Sequence, residues 1–339
     1  MKAFVGVVAL AALRPVDSKS ALLVVDVQDC FLMKECTSGG NDGSLSVPAC
    51  GIISKINSLR KNKSCLFDEV IFTQDYHPAN HISFASSHGL APFSHLNGKG
   101  ELQLTCLKPT SGNTKDASCC PTTHINAAAV DCNTQLCPPD GFDYATNNSD
   151  LITGNEACST CKSSPERCYQ TGQAMWTDHC LKTGDSGFPP TLDKRAGDLV
   201  VQKGMNQYVD AYSAFMDNTQ NLKTELDSKL QANGIDKLYV AGIATDVCVR
   251  ESVRDALSNL TSSYSVTVIT DATQAVLGDA NNFAAALDFM KQAGATLHTT
   301  EEVLALDCGT DALSGSLPKS MLSAFFVALV SLVHPCYGS

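Results

Sequence analysis

The sequence predicts an α/β protein of three layers, a parallel sheet with helices on both faces. Three observations carry this expectation. Apolar runs at 21–25, 198–201 and 237–241 read as buried strands, and they lead into polar residues, Asp26, Lys203 and Cys248. Segments of helical period alternate with such runs along the chain, the pattern of a parallel sheet. The chain has 339 residues, 44% apolar and 17% charged, which is ordinary globular composition and enough to bury a sizeable core.

The elements follow in order. Residues 1–13 carry a lysine, an apolar core and small residues toward the end, which reads as a secretory signal peptide occupying 1–17. The core domain, 18–305, begins with a strand over 21–26, a helix over 48–60 and a strand over 69–73. Between about 99 and 171 the pattern stops, and Thr, Ser, Asn, Pro and Cys dominate. A structureless loop of that length is improbable inside a compact domain, so this stretch is read as a disulfide-stapled insertion. Strands follow over 198–202, 237–242, 265–270 and 295–299, with helices over 221–233, 246–258 and 279–293. Beyond 305 a polar spacer precedes the apolar residues 321–333. That run is shorter than the roughly 20 residues of a transmembrane helix and has the arrangement of a glycosylphosphatidylinositol attachment signal.

Sixteen cysteines fit an extracellular chain with paired thiols. Setting aside Cys336, in the discarded tail, and Cys248 leaves an even number, 14. The spacing Cys158-Ser-Thr-Cys161 is read as structural disulfide chemistry in that setting. Acceptor sequons at Asn62, Asn147 and Asn259 suit the same compartment. A net charge of −11 and the absence of a basic run exclude nucleic acid and anionic membrane surfaces as partners.

Open α/β sheets bind ligands outside the carboxyl ends of their strands. An acid, an ammonium and a thiol gathered there would make an activated cysteine nucleophile, with Asp26 accepting the thiol proton and Lys203 adding positive charge. Cys248 stands near the start of the helical pattern 246–258, where helix N–H groups and the macrodipole favour a thiolate. After the strand at 69–72, the segment TQDYHPANHISF sets Asp75 and His77 two residues apart, on one side of an extended chain, as two ligands of one metal require. The His77–His81 spacing is a weaker signal of the same kind. His88, His95, His124 and His298 are read as surface or loop residues.

The segments ALLVVDVQDCF, DGSLSVP, TQDYHPANHISFASSHG, WTDHC, VVQKG, DAYSAFMDN and GIATDVCV stand in one order and spacing. In these, residues 20–305 apart from the insertion resemble the nicotinamidases of the isochorismatase-like cysteine hydrolase superfamily. The resemblance implies hydrolysis of nicotinamide to nicotinate and ammonia, with Asp26, Lys203 and Cys248 as the triad. It implies a divalent metal on Asp75, His77 and His179, zinc being expected and iron or manganese the alternatives, with His81 either a neighbouring hydrogen-bonding group or a fourth ligand. It further implies an oxyanion hole from the backbone N–H groups of Ala244 and Cys248, a cis peptide between Ile243 and Ala244, and a flat slot for a pyridine ring between Phe31, Trp176 and Tyr212. Two departures stand out: Thr177 and Asp178 in WTDHC, and Cys30 where the family's DVQNDF carries its second acid. Alternative readings are an amidase acting on a carbamoyl or ureido substrate, and a non-enzymatic surface protein, for which a broken triad is expected. The terminal signals place the enzyme on the outer membrane leaflet, held by a lipid, and are compatible with a homo-oligomer.

Overall fold

A computed structural model describes residues 18–88, 92, 101–108, 117–121 and 156–308. The expected signal peptide, the attachment signal from 309 onward, Asn147, His95 and His124 lie outside these residues.

The central strand, β1 (Lys19–Val25), is buried at every position after Lys19. It pairs in parallel with β2 (Glu69–Asp75) and with β7 (Ile235–Ile243). Beyond them lie β6 (Leu199–Lys203) on one side, and β8 (Ser265–Gln274) and β9 (Thr296–His298) on the other, giving the parallel order β6-β2-β1-β7-β8-β9. A strand buried on both faces needs a continuous apolar run rather than an alternating one, and ALLVV supplies it. Ala21, Leu23 and Val25 pack with Leu226 and Leu230 of α3 (Leu226–Asn233), Val253 and Ala256 of α4 (Arg250–Ser258), and Met290 of α5 (Ala280–Gln292). Alternation turns Leu22 and Val24 to the opposite face, where α1 (Cys50–Asn62) buries Ile52, Ile53, Ile56 and Leu59 and meets β8 and α6 (Thr300–Ala305). The six strands and the three layers agree with the sequence expectation.

Two helices start later than their patterns suggest. Residues 221–225 stay out of α3 because the Asp217 carboxylate accepts the backbone N–H groups of Thr219, Asn221 and Leu222 at 2.9–3.1 Å, a local alternative to helix. The pattern 246–258 divides into a π-helical turn, Thr245–Val249, and α4.

The insertion has a sheet of its own, β4-β3-β5, antiparallel, from β3 (Glu101–Leu107), β4 (Cys119–Pro121) and β5 (Cys168–Ala174), with α2 (Glu156–Ser163) beside it; β5 carries it past the expected end near 171, toward Trp176. Cys106–Cys119 staples β3 to β4, and Cys161–Cys168 staples α2 to β5. Leu104, Leu107, Ala117 and Met175 of this part share a core with Ile82, Ala85 and Val209, so the insertion packs directly against the segment after His81. Cys30–Cys180 and Cys36–Cys50 are further bridges, and Cys65, Cys120 and Cys308 are also disulfide-bonded. Among the described residues Cys248 is the free cysteine. Cys132, Cys137 and Cys336 lie outside the described residues, as does the side chain of Cys158.

Asn62 and Asn259 are exposed at the ends of α1 and α4. His298 is half-buried on the edge strand β9. His88 is a correction to the surface assignment: it is buried, with Nε2 against the Ile82 carbonyl at 2.7 Å, and burial lowers its pKa to about 4. No helix among the described residues is long and apolar enough to cross a membrane.

Candidate active site

The parallel register brings the carboxyl ends of β1, β2, β6 and β7 to one edge of the sheet. Asp75 and Lys203 are directly paired across β2 and β6. Asp26 follows the last residue of β1 in a left-handed conformation (φ 49°), an excursion aspartate tolerates better than most side chains. Its N–H donates to Thr73 Oγ1 at 2.9 Å, and the Thr73 hydroxyl donates back to Asp26 Oδ1 at 2.5 Å. Gly242 (φ 120°) lets β7 approach that turn: a Cβ there would stand 2.0 Å from the Val25 carbonyl oxygen.

Lys203 is the hub. Its buried Nζ lies 2.9 Å from Asp26 Oδ2 and 3.1 Å from Asp75 Oδ1, donates to the Ala211 carbonyl at 2.9 Å, and lies 3.6 Å from Cys248 Sγ. Burial opposes its charge, but the two carboxylates overcome this and hold the ammonium well above the usual lysine range. Burial likewise raises Asp26, with Lys203 pulling the other way.

Burial pushes the Cys248 thiol well above its ordinary range, against the pull of Lys203. Burial thus favours the protonated thiol, in opposition to the helix-start effect that favours a thiolate. The physical reason is that Cys248 sits in the π-turn ahead of α4, in a dry setting where desolvation outweighs the helix terminus. The Ile243–Ala244 peptide is cis, as the resemblance implies. Ala244 heads the turn that carries Cys248.

Asp75 Oδ2 lies 3.1 Å from His77 Nε2 and 3.7 Å from His179 Nε2. Burial disfavours the Asp75 charge, but His77 and Lys203 together hold its pKa well below the usual range. The opposite ring nitrogens face carbonyl oxygens, His77 Nδ1 toward Gly204 at 2.8 Å and His179 Nδ1 toward Thr177 at 2.7 Å. A carbonyl can only accept, so each Nδ1 carries a proton and Nε2 is the atom that each ring could offer to a metal. With no metal bound, burial opposes a charge on His77, but Asp75 beside it raises the pKa of that imidazole. His77 Nε2 is buried without a hydrogen bond of good geometry. Asp75, with one imidazole nitrogen at 3.1 Å and another at 3.7 Å, offers the oxygen and nitrogen donor types that a divalent ion of the zinc class takes.

His81 stacks on His77, ring centroids 4.1 Å apart, with Nδ1 2.7 Å from Ser83 Oγ. The potential ligand atoms fall into two groups, Asp75 with His179 and the disulfide-bonded Cys180, and His77 with His81 and Asp210. The expected set of Asp75, His77 and His179 is divided between them, with Asp75 Oδ2 reaching toward both histidines.

Phe31, Trp176 and Tyr212 line one cavity with Leu45, Val47, Val247 and Val276, and Asp75, His179, Ala244 and Cys248 open onto it. Asp26, Lys203 and His77 stand outside its lining and touch residues that form it. Trp176 Nε1 and Gln173 Nε2 donate to the Tyr212 hydroxyl at 3.2 and 2.9 Å, and Gln173 also donates to Asp210 Oδ2 at 2.9 Å. Because Gln173 belongs to β5, the insertion braces the aromatic wall.

Several residues that build the site had no signal of their own. Thr73 reads as an ordinary strand residue. Gln28 and Gly204 sit inside the quoted motifs without an evident role. Gln28 clamps Asp75 by accepting its N–H at 2.7 Å and donating to its carbonyl at 2.9 Å. Gly204 (φ 65°) admits His77: a Cβ there would fall 2.4 Å from the His77 ring.

Residues 163–302 match the isochorismatase domain family. The chain is 32% identical to the nicotinamidase of Escherichia coli over 281 residues, 82% of this chain and 94% of that one. It is 28% identical to the nicotinamidase of Schizosaccharomyces pombe over 240 residues, 70% of this chain and 76% of the other. In structure it resembles the Acinetobacter baumanii nicotinamidase/pyrazinamidase at TM-score 0.54 and 26% identity, over 84% of this chain and 98% of that one. The yeast nicotinamidase shares the fold at TM-score 0.56 and 20% identity, over 82% of this chain and 99% of the other. With a near-full-length relative above 30% identity and the same fold, the chain belongs to the nicotinamidase family of isochorismatase-like hydrolases and is a hydrolase acting on amides.

Proposed function

We propose that this protein is a nicotinamidase that works through a Cys248 thioester. The carrying observation is the free thiol of Cys248, opening onto an apolar cavity with aromatic walls and 3.6 Å from an ammonium shared with Asp26. The pyridine ring lies between Phe31, Trp176 and Tyr212, and the carboxamide carbon faces Sγ. Asp26, its basicity raised by burial, takes the thiol proton as Sγ attacks. The backbone N–H groups of Ala244 and Cys248 hold the oxyanion. The tetrahedral adduct collapses, ammonia leaves with the proton from Asp26, and a nicotinoyl thioester remains. Asp26 then deprotonates a water, which adds to the thioester carbon. Nicotinate departs, and the proton returns to Sγ. Lys203 stays charged throughout and offsets the negative charge that passes between Asp26 and Sγ. A divalent ion, zinc with iron or manganese as alternatives, would be held by Asp75, His77 and His179 and would supply a Lewis acid that orients substrate and water.

Ammonia release from nicotinamide by the purified, disulfide-intact protein tests this reading, with a ureido acid as the competing substrate. Turnover of the ureido acid in preference to nicotinamide would replace it by the other amidase reading. Metal analysis should find about one divalent ion per chain, lost in an Asp75→Ala, His77→Ala double variant. Full occupancy in that variant would show the ligand set to be wrong.

The paired cysteines, the exposed sequon asparagines Asn62 and Asn259, and the terminal patterns support an extracellular enzyme held on the outer leaflet by a lipid. Phosphatidylinositol-specific phospholipase C should release active enzyme from intact cells. Activity confined to the cytosol would refute this placement and the disulfides with it.

A further inference from the structure

The nucleophile, the metal donors and the aromatic slot account for most of the buried reactive groups near the site, but not for the Cys30–Cys180 disulfide. It joins positions 150 residues apart in sequence, and both half-cystines are fully buried. Each is the chain neighbour of a site residue: Cys30 precedes Phe31, and Cys180 follows His179. The rings of those two neighbours meet, with centroids 5.4 Å apart.

The backbone extends the linkage. The Cys180 carbonyl accepts the His77 N–H at 3.0 Å, and the Cys30 carbonyl accepts the N–H of Leu45, a residue of the cavity wall, at 2.9 Å. Other bonds between the two loops, from Asp29 to Gly187 and from Cys30 to Asp185, fall six or more residues beyond His179. The disulfide acts at the adjacent residue. Cys180 also holds a left-handed backbone (φ 49°), which a side chain other than glycine keeps only where its surroundings over-determine it. The covalent bond is one such constraint.

We propose that the Cys30–Cys180 disulfide is a positioning element of the active site, fixing His179 against Phe31 and so setting both metal affinity and the width of the aromatic slot. The inference rests on the amidase site proposed above. Its chemical corollary is that the site is complete only in the oxidised protein. A dithiol that delivered two electrons and two protons to the bridge, itself becoming a disulfide, would leave two thiols, and the His179 and Phe31 loops would separate.

The test compares wild type with a Cys30→Ala, Cys180→Ala double variant. A Cys161→Ala, Cys168→Ala variant removes a disulfide of the insertion as a control. Zinc affinity is measured by competition with a chromophoric chelator, alongside KM and kcat for nicotinamide and the thermal midpoint. Loss of a positioning contact around a metal typically weakens binding about 10- to 100-fold, and that is the expected loss for the Cys30/Cys180 variant. KM should rise more than kcat falls. The control should lose thermal stability alone. A folded Cys30/Cys180 variant with wild-type zinc affinity and KM overturns the proposal. Should the alanine pair fail to fold, the serine pair is the second variant. Failure of both pairs while the control folds would assign the bridge a purely structural role and likewise overturn it. If wild type releases no ammonia from nicotinamide, the amidase reading falls by itself, and the zinc measurement still decides the role of the bridge.

Discussion

Cys248→Ala is expected to abolish turnover, lowering kcat by about 10⁴- to 10⁶-fold, the scale seen when a nucleophile is removed from a preorganised site. Among the described residues nothing else offers a substitute: Cys248 is the free thiol there, and it opens onto the cavity beside Asp75 and His179. The variant should fold. Its side chain loses only a sulfur atom at a buried position that belongs to the main core cluster, and metal content should stay at the wild-type level, because none of the three proposed donors is touched. Steady-state ammonia release, metal analysis and a thermal melt on the same preparation check all three points. Activity within tenfold of wild type would sink the thioester mechanism.

The second large effect is expected at Lys203, and it should differ in kind. Lys203→Met removes the cation that faces Asp26 and Asp75 at 2.9 and 3.1 Å in a fully buried setting. Breaking a buried ion pair by deleting one partner costs about 3–5 kcal/mol, because the remaining charge is left uncompensated. The carboxylates would answer by taking up a proton. A protonated Asp26 cannot act as base, and a protonated Asp75 is a poor ligand. The variant should therefore lose activity by several orders of magnitude, lose stability and bind metal weakly, where Cys248→Ala loses activity alone. Asp26→Asn should share the activity loss without the metal defect, since Asp75 keeps its lysine partner. Thermal midpoints and metal content of the three variants, measured together, separate these outcomes. Wild-type stability and metal content in Lys203→Met would show that the ammonium is not the hub of the network.

Much of this was legible in the chain. A fully buried parallel strand needs an unbroken apolar run, and β1 announced itself in that way, with shorter runs in β6 and β7 and with Asp26 and Lys203 at the ends of β1 and β6. The insertion was less legible. Its β4 has three residues, and its two longer strands carry Thr, Gln and Cys instead of an apolar run. Disulfides supplement a small apolar core there, so a weaker hydrophobic pattern suffices. His88 was misread for a related reason: a histidine in a loop sequence carries no mark of burial, and only packing around the Ile82 carbonyl placed it inside.

The sequence by itself determined the fold class and pointed to the acid, ammonium and thiol of the proposed nucleophile and to the residue types of the proposed metal site, because strand period and residue chemistry are local properties. Only the tertiary structure decided that one ammonium serves both Asp26 and Asp75. It also decided that carbonyls of Gly204 and Thr177 hold the Nδ1 side of His77 and His179, that Gln173 of β5 braces Tyr212, and that Cys180 is joined to Cys30. Each of those facts pairs residues from segments remote in sequence or involves backbone atoms. Neither the distances nor the dry surroundings that push the Cys248 thiol upward exist until the sheet edge, the loops and the insertion close over the same few ångströms.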